Sequence, residues 1–182
     1  LKTAISDLEV DQREVNSKIY YIKYPIDGTD EFITIATTRP ETMLGDTAIA
    51  VNPKDDRFKS FVGKTVTIPL VGRKIKIIED DYADPEQGTG ALKITPAHDF
   101  NDYDVGQRND LEIINIFTEE GKINENAPAH YVGLDRFEAR KKILKELKEK
   151  EFFDKEENIK NKVPYGDRSN SIICLLYTSP SP

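Results

Sequence analysis

Residues 88–102 read Gly-Thr-Gly-Ala-Leu-Lys-Ile-Thr-Pro-Ala-His-Asp-Phe-Asn-Asp, and the rest of the chain is interpreted around them. Gly88 and Gly90 form a flexible loop, where the lack of a side chain lets the backbone approach a ligand closely. Residues 91–95 follow as a short strand in which Lys93 and Thr95 alternate with apolar neighbours. Since alternate strand residues share a face, the pattern predicts that these two polar side chains lie together.

A strand-to-helix corner follows directly. Pro96 ends the strand, and Asp99 is placed to cap a helix over residues 101–108. Asp99 and Asp102 are three residues apart, so their side chains share one face of that helix. Peptide dipoles favour anions there, which suits a ligand's ammonium or hydroxyl group, or a water. The plainer alternative is that Asp99 only caps the helix and Asp102 is a first-turn surface charge.

Composition limits the classes of protein to consider. A chain of 182 residues with 37% hydrophobic and 32% charged residues suits one soluble globular domain. We find no apolar run that could cross a membrane and no signal peptide. The single cysteine, Cys174, excludes an internal disulfide and a multi-cysteine zinc site, and a cytosolic location is expected. A net charge of -7 argues against broad electrostatic binding of nucleic acid but permits contact with one nucleotide.

The first half of the chain is rich in short strands. Residues 15–24 predict a strand, residues 27–30 a turn, and the apolar residues from Phe32 onward a returning strand. This hairpin delivers a second polar loop, Thr37-Thr38-Arg39-Pro40-Glu41-Thr42. The later elements are a strand over 47–51, a short helix from Asn52 and Pro53 to Phe58, and hairpin strands over 65–70 and 74–78.

The second half predicts strands over 112–118 and 163–173 with a helix between them. That helix begins at Asp135, where Glu138 completes a capping box, and runs to about residues 150–152. Its apolar face is expected to contain Phe137, Leu144 and Leu147, with Ile143 beside them, and its charged face is expected to be solvated. Many short strands and few helices predict a mainly β fold, a β-barrel with peripheral helices.

Motifs for other chemistries are missing. The chain has no Gly-x-Ser-x-Gly elbow, no Walker loop and no His-Glu-x-x-His pair. His98 can act as a general base beside Asp99 or can pack locally, and His130 lies in a predicted loop. The spacing of Asp99, Asp102 and Asp104 matches no calcium loop, so we predict no metal and no cofactor. The chemistry that these residues still allow is recognition of a polar ligand with attack by an activated water. It requires no covalent intermediate.

These motifs carry a family resemblance. Residues 37–53, 88–106, 114–118, 133–140 and 163–169 resemble the editing domain of valyl-tRNA synthetases, in order and across nearly all of residues 1–170. The isoleucyl and leucyl enzymes share the Thr-Thr-Arg-Pro and Gly-Thr-Gly-Ala loops. Residues 93–99 and 45–48 follow the valyl pattern.

The resemblance implies a β-barrel inserted into a class I synthetase catalytic domain. It implies hydrolysis of threonyl-tRNA made in error on valine tRNA, with the aminoacylated 3′ end of tRNA(Val) and the rest of the synthetase as partners and no membrane. For this type of enzyme a hydrophobic valine pocket is known to reject threonine only about a hundredfold, so binding alone is insufficient.

Site residues follow from matching positions. The resemblance implies catalytic roles for Arg39, Lys93 and Asp102. It implies contacts with the aminoacylated tRNA end for Thr38, Thr42, Thr95, Asp99, Gly88 and Gly90. An α-ammonium group needs an anion, and threonine's hydroxyl needs a partner that valine would leave unpaired. Water is the expected nucleophile, assisted by the free ribose hydroxyl, and no general base is assigned.

Several features depart from the family pattern. Gln87 stands where some members carry an aromatic residue, and the synthetic signatures His-Ile-Gly-His and Lys-Met-Ser-Lys-Ser are absent, so no aminoacylation is expected. We interpret residues 1–173 as an editing domain from a longer synthetase and residues 174–182 as a foreign tail. Two alternatives remain: a non-catalytic module that binds the aminoacyl-tRNA end, and an editing domain of isoleucyl or leucyl type.

Overall fold

A computed structural model describes residues 18–159 of the chain. The strands are β1 Lys18–Pro25, β2 Phe32–Thr37, β3 Ala48–Val51, β4 Thr65–Thr67, β5 Lys74–Glu79, β6 Leu92–Ile94 and β7 Phe153–Asn158. The α-helices are α1 Phe100–Asn109 and α2 Arg136–Glu149. The 3₁₀ helices are Pro40–Gly45, Asp56–Phe61 and Ala129–Tyr131.

The first hairpin is confirmed. Strands β1 and β2 pair antiparallel, with Ile22 opposite Ile35 and Tyr24 opposite Ile33. These four side chains are almost fully buried. The strand alternation therefore directs one face of the hairpin into the core.

A four-stranded sheet positions the central stretch, and its strand order is β4-β5-β3-β6. Strand β3 is buried along its whole length, as a central strand should be, and pairs parallel with β5 and antiparallel with β6. In β5 Ile75 and Ile77 are buried while Lys74 and Lys76 are exposed, as the alternation predicted. The hairpin between β4 and β5 is confirmed too.

The β-rich architecture with few helices is confirmed, but no closed barrel is detected in residues 18–159. The other sheet has the order β2-β1-β7, and an isolated bridge between Ile26 and Val66 joins it to the four-stranded sheet. Strands β2 and β6 are neighbours in space without a backbone ladder. The Thr89 hydroxyl donates instead to the Thr34 carbonyl at 2.6 Å. Strands β4 and β6 have three residues each, which limits the ladder they can form.

The strand predicted over residues 112–118 is wrong. Only Phe117 forms a bridge there, with Ile123. The backbone N–H of Ile116 donates to the His98 ring, and that of Phe117 donates to the Asn115 side chain. Side-chain acceptors thus replace the ladder that the apolar pattern suggested.

Helix α2 is confirmed with its capping box, because Asp135 and Glu138 exchange the expected hydrogen bonds. Its buried residues are Ala139, Ile143 and Leu147, so the predicted burial of Leu147 with Ile143 beside it is confirmed. Phe137 is 42% exposed. The helix packs against the 3₁₀ helix Pro40–Gly45, which fixes a rotation the sequence did not specify.

Two local predictions need correction. The helix expected from Asn52 is the 3₁₀ helix Asp56–Phe61, capped by Asp55. Strand β7 was not predicted, because the residues in its polar sequence are mostly exposed.

By contacts the chain divides into two units, one spanning Tyr20–Lys155 and the other spanning 1–19 and 156–182. In the second unit Lys18 and Glu156 form an ion pair at 2.9 Å. The predicted strand over 163–173 and the boundary at 173 lie outside the described residues and remain predictions. Neither α-helix within residues 18–159 has the length and apolar character of a bilayer span.

Candidate functional site

Lys93 is the centre of a buried polar cluster, which we define as Thr42, Asp46, Lys93 and Thr95. The Lys93 ammonium donates to the hydroxyls of Thr42 and Thr95, each at 2.7 Å, and pairs with Asp46 Oδ1 at 2.8 Å. Each of the four residues is at most 6% exposed. Since an ammonium has three N–H donors, Lys93 is saturated within the cluster.

Asp46 supplies the compensating negative charge. Its Oδ1 also accepts from the Thr95 hydroxyl at 2.7 Å, and its Oδ2 accepts from the buried Tyr24 hydroxyl. Burial raises the pKa of Asp46, while Lys93 and the two hydroxyl donors act in the opposite direction. Burial and the charge of Asp46 raise the pKa of Tyr24 well above its usual value, so Tyr24 remains a donor.

The backbone brings these side chains together from two segments. Strand β6 pairs with β3, and the Thr47 N–H donates to the Ile94 carbonyl at 2.9 Å. The 3₁₀ helix Pro40–Gly45 lies so close that a Cβ on Gly45 would stand 2.9 Å from the Ile114 carbonyl oxygen and 3.3 Å from Thr95 Cγ2. Glycine at position 45 therefore permits the approach of the two segments.

Two carboxylates border the cluster, each using one oxygen to hold the backbone. Asp99 caps α1, its Oδ1 accepting from the N–H groups of Asn101 and Asp102 at 2.9 and 3.1 Å. Asp102 Oδ2 accepts from the Thr95 N–H at 2.9 Å. Within residues 18–159 neither Asp99 Oδ2 nor Asp102 Oδ1 has a hydrogen-bond partner, so these two oxygens are available to a ligand.

The plain alternative thus holds for Asp99 as a cap but fails for Asp102. Asp102 is 6% exposed rather than solvated. Burial first, and then the nearby charge of Asp99, raise the pKa of Asp102 to about 7. A carboxyl group that changes charge near neutral pH is typical of a functional site, although ion-pair networks also produce it.

Arg39 approaches the same corner from the threonine-rich loop. Its Nη1 donates to the His98 carbonyl at 3.0 Å, and its remaining guanidinium donors have no partner in the described part of the chain. The His98 ring accepts from the Ile116 N–H at 2.9 Å and stands edge-on to Phe117. Burial and nearby cations lower the pKa of His98 to about 4, so it packs as a neutral acceptor.

A buried ion pair attaches the loop that carries Arg39 and Thr42 to helix α2. Arg140 of α2 donates to both carboxylate oxygens of Glu41, at 2.8 and 3.0 Å. Glu41 is fully buried. Burial alone would raise the pKa of Glu41, but Arg140 and Arg39 bring it below its usual value.

The other predicted site residues lie at the edge of this arrangement. Thr38 and Gly88 are exposed, and neither bonds to the buried cluster among residues 18–159. A Cβ on Gly88 would stand 3.0 Å from Ala36 Cβ, so this loop lies beside the end of β2. Gly90 has φ +91° and faces Arg57, where a Cβ would be only 2.5 Å away. Its glycine thus serves loop packing.

Sequence reasoning missed four members of the site region: Tyr24, Glu41, Asp46 and Arg140. A signal existed for Asp46, since it follows Gly45 at a turn and precedes an apolar strand, where an unpaired acid is unexpected. Nothing in the sequence pairs Arg140 with a loop 99 residues away. The described residues contain no group of three or more His, Cys, Asp or Glu arranged to hold a metal ion.

Comparisons with known proteins show which family the chain resembles. Residues 58–156 match a family described as leucyl-tRNA synthetase, editing domain. The chain is 86% identical over 173 residues to a valine–tRNA ligase of Pelagibacter ubique, covering 95% of this chain and 20% of that protein. It is 54% identical over 172 residues to the valine–tRNA ligase of Thermotoga maritima, covering 94% of this chain and 20% of that protein. It therefore spans about a fifth of the length of these relatives.

The fold has a counterpart among solved structures. A LeuRS of Agrobacterium radiobacter K84, in a ternary complex with tRNA and LeuAMS, superposes with a TM-score of 0.61. The match covers 85% of this chain and 22% of that one at 21% identity. This likeness supports the fold.

Proposed function

The chain belongs to the leucyl-tRNA synthetase editing-domain family of class I synthetases, and on that premise we propose that it hydrolyses the ester of mischarged threonyl-tRNA(Val) within a valyl-tRNA synthetase. The observation that carries the proposal is the pair of unpartnered carboxylate oxygens, Asp99 Oδ2 and Asp102 Oδ1, beside the buried cluster. The identity with two valine–tRNA ligases supports the valyl assignment.

The aminoacyl group is recognised by charge. Its α-ammonium is cationic and binds an anion, and Asp99 presents a carboxylate at the start of α1, where it caps the helix. Asp102 offers its second oxygen to the same ligand while Thr95 holds the first. The two carboxylates therefore position the ester through its amino acid.

The polar character of the site would select the threonyl ester over the valyl ester. A threonine hydroxyl can pair with a carboxylate at this corner, whereas the matching methyl of valine leaves that acceptor desolvated and unpaired. A site built to pair a hydroxyl rejects the analogue that lacks it by about 10⁴–10⁵. A polar site thus achieves a discrimination that an apolar pocket cannot.

The reaction is a hydrolysis. Water attacks the ester carbonyl carbon, the bond from that carbon to the ribose oxygen breaks, and the ribose oxygen receives a proton. Arg39 has guanidinium donors to spare for the oxyanion that forms, which is the group an editing site must stabilise. No covalent intermediate with the protein is required.

Lys93 acts as a positioning residue in this proposal. Its three donors are occupied by Thr42, Thr95 and Asp46, so it reaches a ligand only by giving up one of them. Its role is to hold Thr42 beside Thr95 and to neutralise Asp46. The direct contacts then come from Arg39, Asp99 and Asp102.

Single-turnover deacylation tests the proposal. Threonyl-tRNA(Val) and valyl-tRNA(Val) are each mixed with excess of this chain, and also with a valyl-tRNA synthetase carrying it. We expect the threonyl ester to be hydrolysed far faster. Equal rates would contradict the selectivity for threonine. No hydrolysis despite binding of the tRNA would leave a non-catalytic module that holds the aminoacyl-tRNA end.

A leucyl-type specificity is the second candidate, because the matching family is described by the leucyl enzyme. The same assay with isoleucyl-tRNA(Leu) distinguishes it. Faster release of isoleucine than of threonine would replace the valyl assignment and leave the hydrolytic chemistry unchanged.

A further inference from the structure

Two arginines act on the buried carboxylate of Glu41, and only one of them is bound to it. Arg140 donates from Nε and Nη2 to the two carboxylate oxygens, at 2.8 and 3.0 Å. Burial raises the pKa of Glu41, and the charges of Arg140 and then of Arg39 lower it, so Arg39 is the second cation near this acid. The Arg39 side chain donates instead to the His98 carbonyl at 3.0 Å.

Glu41 is a stronger attraction for Arg39 than its present acceptor is. An arginine and a carboxylate can form two parallel hydrogen bonds between ionised groups, whereas the His98 carbonyl is a neutral acceptor. A buried carboxylate without a cation is also strongly unfavourable. If Arg140 were absent, Glu41 would therefore draw the Arg39 guanidinium to itself.

The backbone at Arg39 is fixed, so the side chain alone decides which acceptor it binds. The Arg39 carbonyl accepts from the N–H and the hydroxyl of Thr42, at 3.0 and 2.8 Å. Its N–H donates to the Thr37 hydroxyl at 3.0 Å. A change of partner at Arg39 is thus a rearrangement of the guanidinium and leaves the loop in place.

Arg140 is positioned to occupy both oxygens of Glu41. It follows the fully buried Ala139 on helix α2, which packs against the 3₁₀ helix Pro40–Gly45. Its guanidinium lies 5.4 Å from the Phe137 ring, and its side chain is only 24% exposed. The planar fork of an arginine matches a carboxylate, so both oxygens are bound at once.

We propose that Arg140 is a positioning residue: by occupying both oxygens of Glu41, it prevents this carboxylate from pairing with Arg39 and leaves the Arg39 guanidinium available to a ligand. The consequence for hydrolysis rests on the proposed function, in which Arg39 donates to the oxyanion of the ester. Arg140 acts through Glu41 and Arg39 and does not itself contact the ester.

Single-turnover deacylation of threonyl-tRNA(Val) by a valyl-tRNA synthetase carrying this chain tests the proposal. Arg140→Met should lower the rate constant at saturating enzyme by about 100-fold, the effect of losing one donor to an oxyanion. The enzyme concentration that gives half the maximal rate should change much less, because the lost contact belongs to the transition state.

Removal of the competing carboxylate should reverse that loss. The double variant Arg140→Met with Glu41→Leu has no acid to draw Arg39 away, and an apolar pair in place of a buried ion pair is often neutral for stability. We expect it to recover most of the rate. If the loop only needed the ion pair to hold its position, the double variant would stay as slow as Arg140→Met, and this result would overturn the proposal.

Arg140→Lys replaces Arg140→Met if the latter does not fold. A single ammonium is a point charge that cannot bind both oxygens as the arginine fork does, so one oxygen of Glu41 becomes free for Arg39. The loss of rate should then be partial and should again be reversed by Glu41→Leu.

Arg108→Met is the matched control. Arg108 also donates to both oxygens of one carboxylate, that of Asp80, at 2.8 and 3.2 Å. This pair lies at the last turn of α1 rather than at the loop that carries Arg39. We therefore expect its loss to leave the rate unchanged, and equal losses in Arg108→Met and Arg140→Met would contradict a specific role for Arg140.

Chemical modification measures the availability of Arg39 without any hydrolysis. Phenylglyoxal reacts with guanidinium groups, and mass spectrometry of the digested protein locates the modified arginines. We expect Arg39 to react more slowly in Arg140→Met than in the wild type, and to regain its reactivity in the double variant. Arg57, which pairs with Asp55 in every variant, is the internal reference.

The two readouts separate this proposal from the editing assignment. If the wild type hydrolyses no threonyl ester but the reactivity of Arg39 follows the expected pattern, the role of Arg140 is supported and the proposed function fails. If the wild type hydrolyses the ester while Arg39 reacts equally in the wild type, Arg140→Met and the double variant, the role of Arg140 is overturned and the proposed function stands.

Discussion

The backbone N–H of Thr95 donates a 2.9 Å hydrogen bond to Asp102 Oδ2, while the hydroxyl of the same Thr95 donates to Asp46. One residue therefore links the buried cluster to the carboxylate at the start of α1. Loss of the Asp102 carboxylate would therefore remove a hydrogen bond from the backbone of a cluster residue.

Asp102→Asn should reduce threonyl-tRNA deacylation by about 10- to 100-fold, since hydrogen bonds to charged groups contribute roughly 1.5–3 kcal/mol. The amide oxygen can still accept from the Thr95 N–H, so the fold should survive. Single-turnover rates and a thermal melt measure both effects. Asp104→Asn, at an exposed position on the same helix, should leave the rate unchanged.

The titration of the Asp102 carboxyl should be visible in the pH dependence of the free energy of unfolding. Its pKa rises from 3.8 in the unfolded chain to about 7 in the fold, so the folded state binds more protons between these values. The free energy of unfolding should therefore fall as pH rises from about 4 to 7, by a few kcal/mol at about 1.4 kcal/mol per pKa unit.

Denaturant unfolding at several pH values measures this decline. The difference between the wild type and Asp102→Asn isolates it, because the other titrating groups are common to both proteins. Lys93, Asp46 and Asp99 also contribute to the electrostatic environment of this carboxyl. If the free energy of unfolding changes equally with pH in the two proteins, the raised pKa of Asp102 is contradicted.

Lys93→Met should destabilise the fold by about 3–5 kcal/mol, because it leaves the buried Asp46 charge without its partner. Adding Asp46→Asn should recover part of that loss, and the double-mutant cycle gives the coupling energy. Lys74→Met serves as the control: Lys74 pairs with Asp27 at the surface, so its loss should cost far less than the loss of Lys93. Comparable costs at the two lysines would contradict the role of burial.

Gly45→Ala should destabilise the fold by roughly 1–3 kcal/mol through overpacking. The added methyl group would stand 2.9 Å from the Ile114 carbonyl oxygen, and backbone atoms cannot rotate away as a flexible side chain can. The 3₁₀ helix must then move away from the Ile114 backbone and from Thr95, which should also slow deacylation. An unchanged melting temperature would show that the segments have room to separate.

Local patterns predicted much of this fold. The β1–β2 hairpin, the alternation in β5 and the capping box at Asp135 follow from neighbours in sequence, and all are confirmed. The predictions failed where a distant contact decides the outcome. Residues 112–118 have the apolar pattern of a strand, but Ile116 bonds to His98 instead.

Predictions for the site also succeeded where neighbours in sequence decide the outcome and failed where a distant contact does. Placing Lys93 and Thr95 on one face required only the alternation of a strand, and the structure brings them together with Thr42. The burial of Asp102 could not be read from its spacing to Asp99, because it depends on the packing of α1 against β6. The pairing of Asp46 with Lys93 likewise depends on the register between β3 and β6.

The hydrogen bonds of the cluster have a consequence for the order of folding. Thr42 and Lys93 are 51 residues apart, and Asp46 and Thr95 are 49 apart, so two long loops must close before the cluster exists. The entropy of closing them is lost before the contacts form, which is typical of slow, non-local folding. During synthesis the cluster can assemble only after Thr95 has left the ribosome, and the Glu41–Arg140 pair can form only later, after Arg140 has emerged.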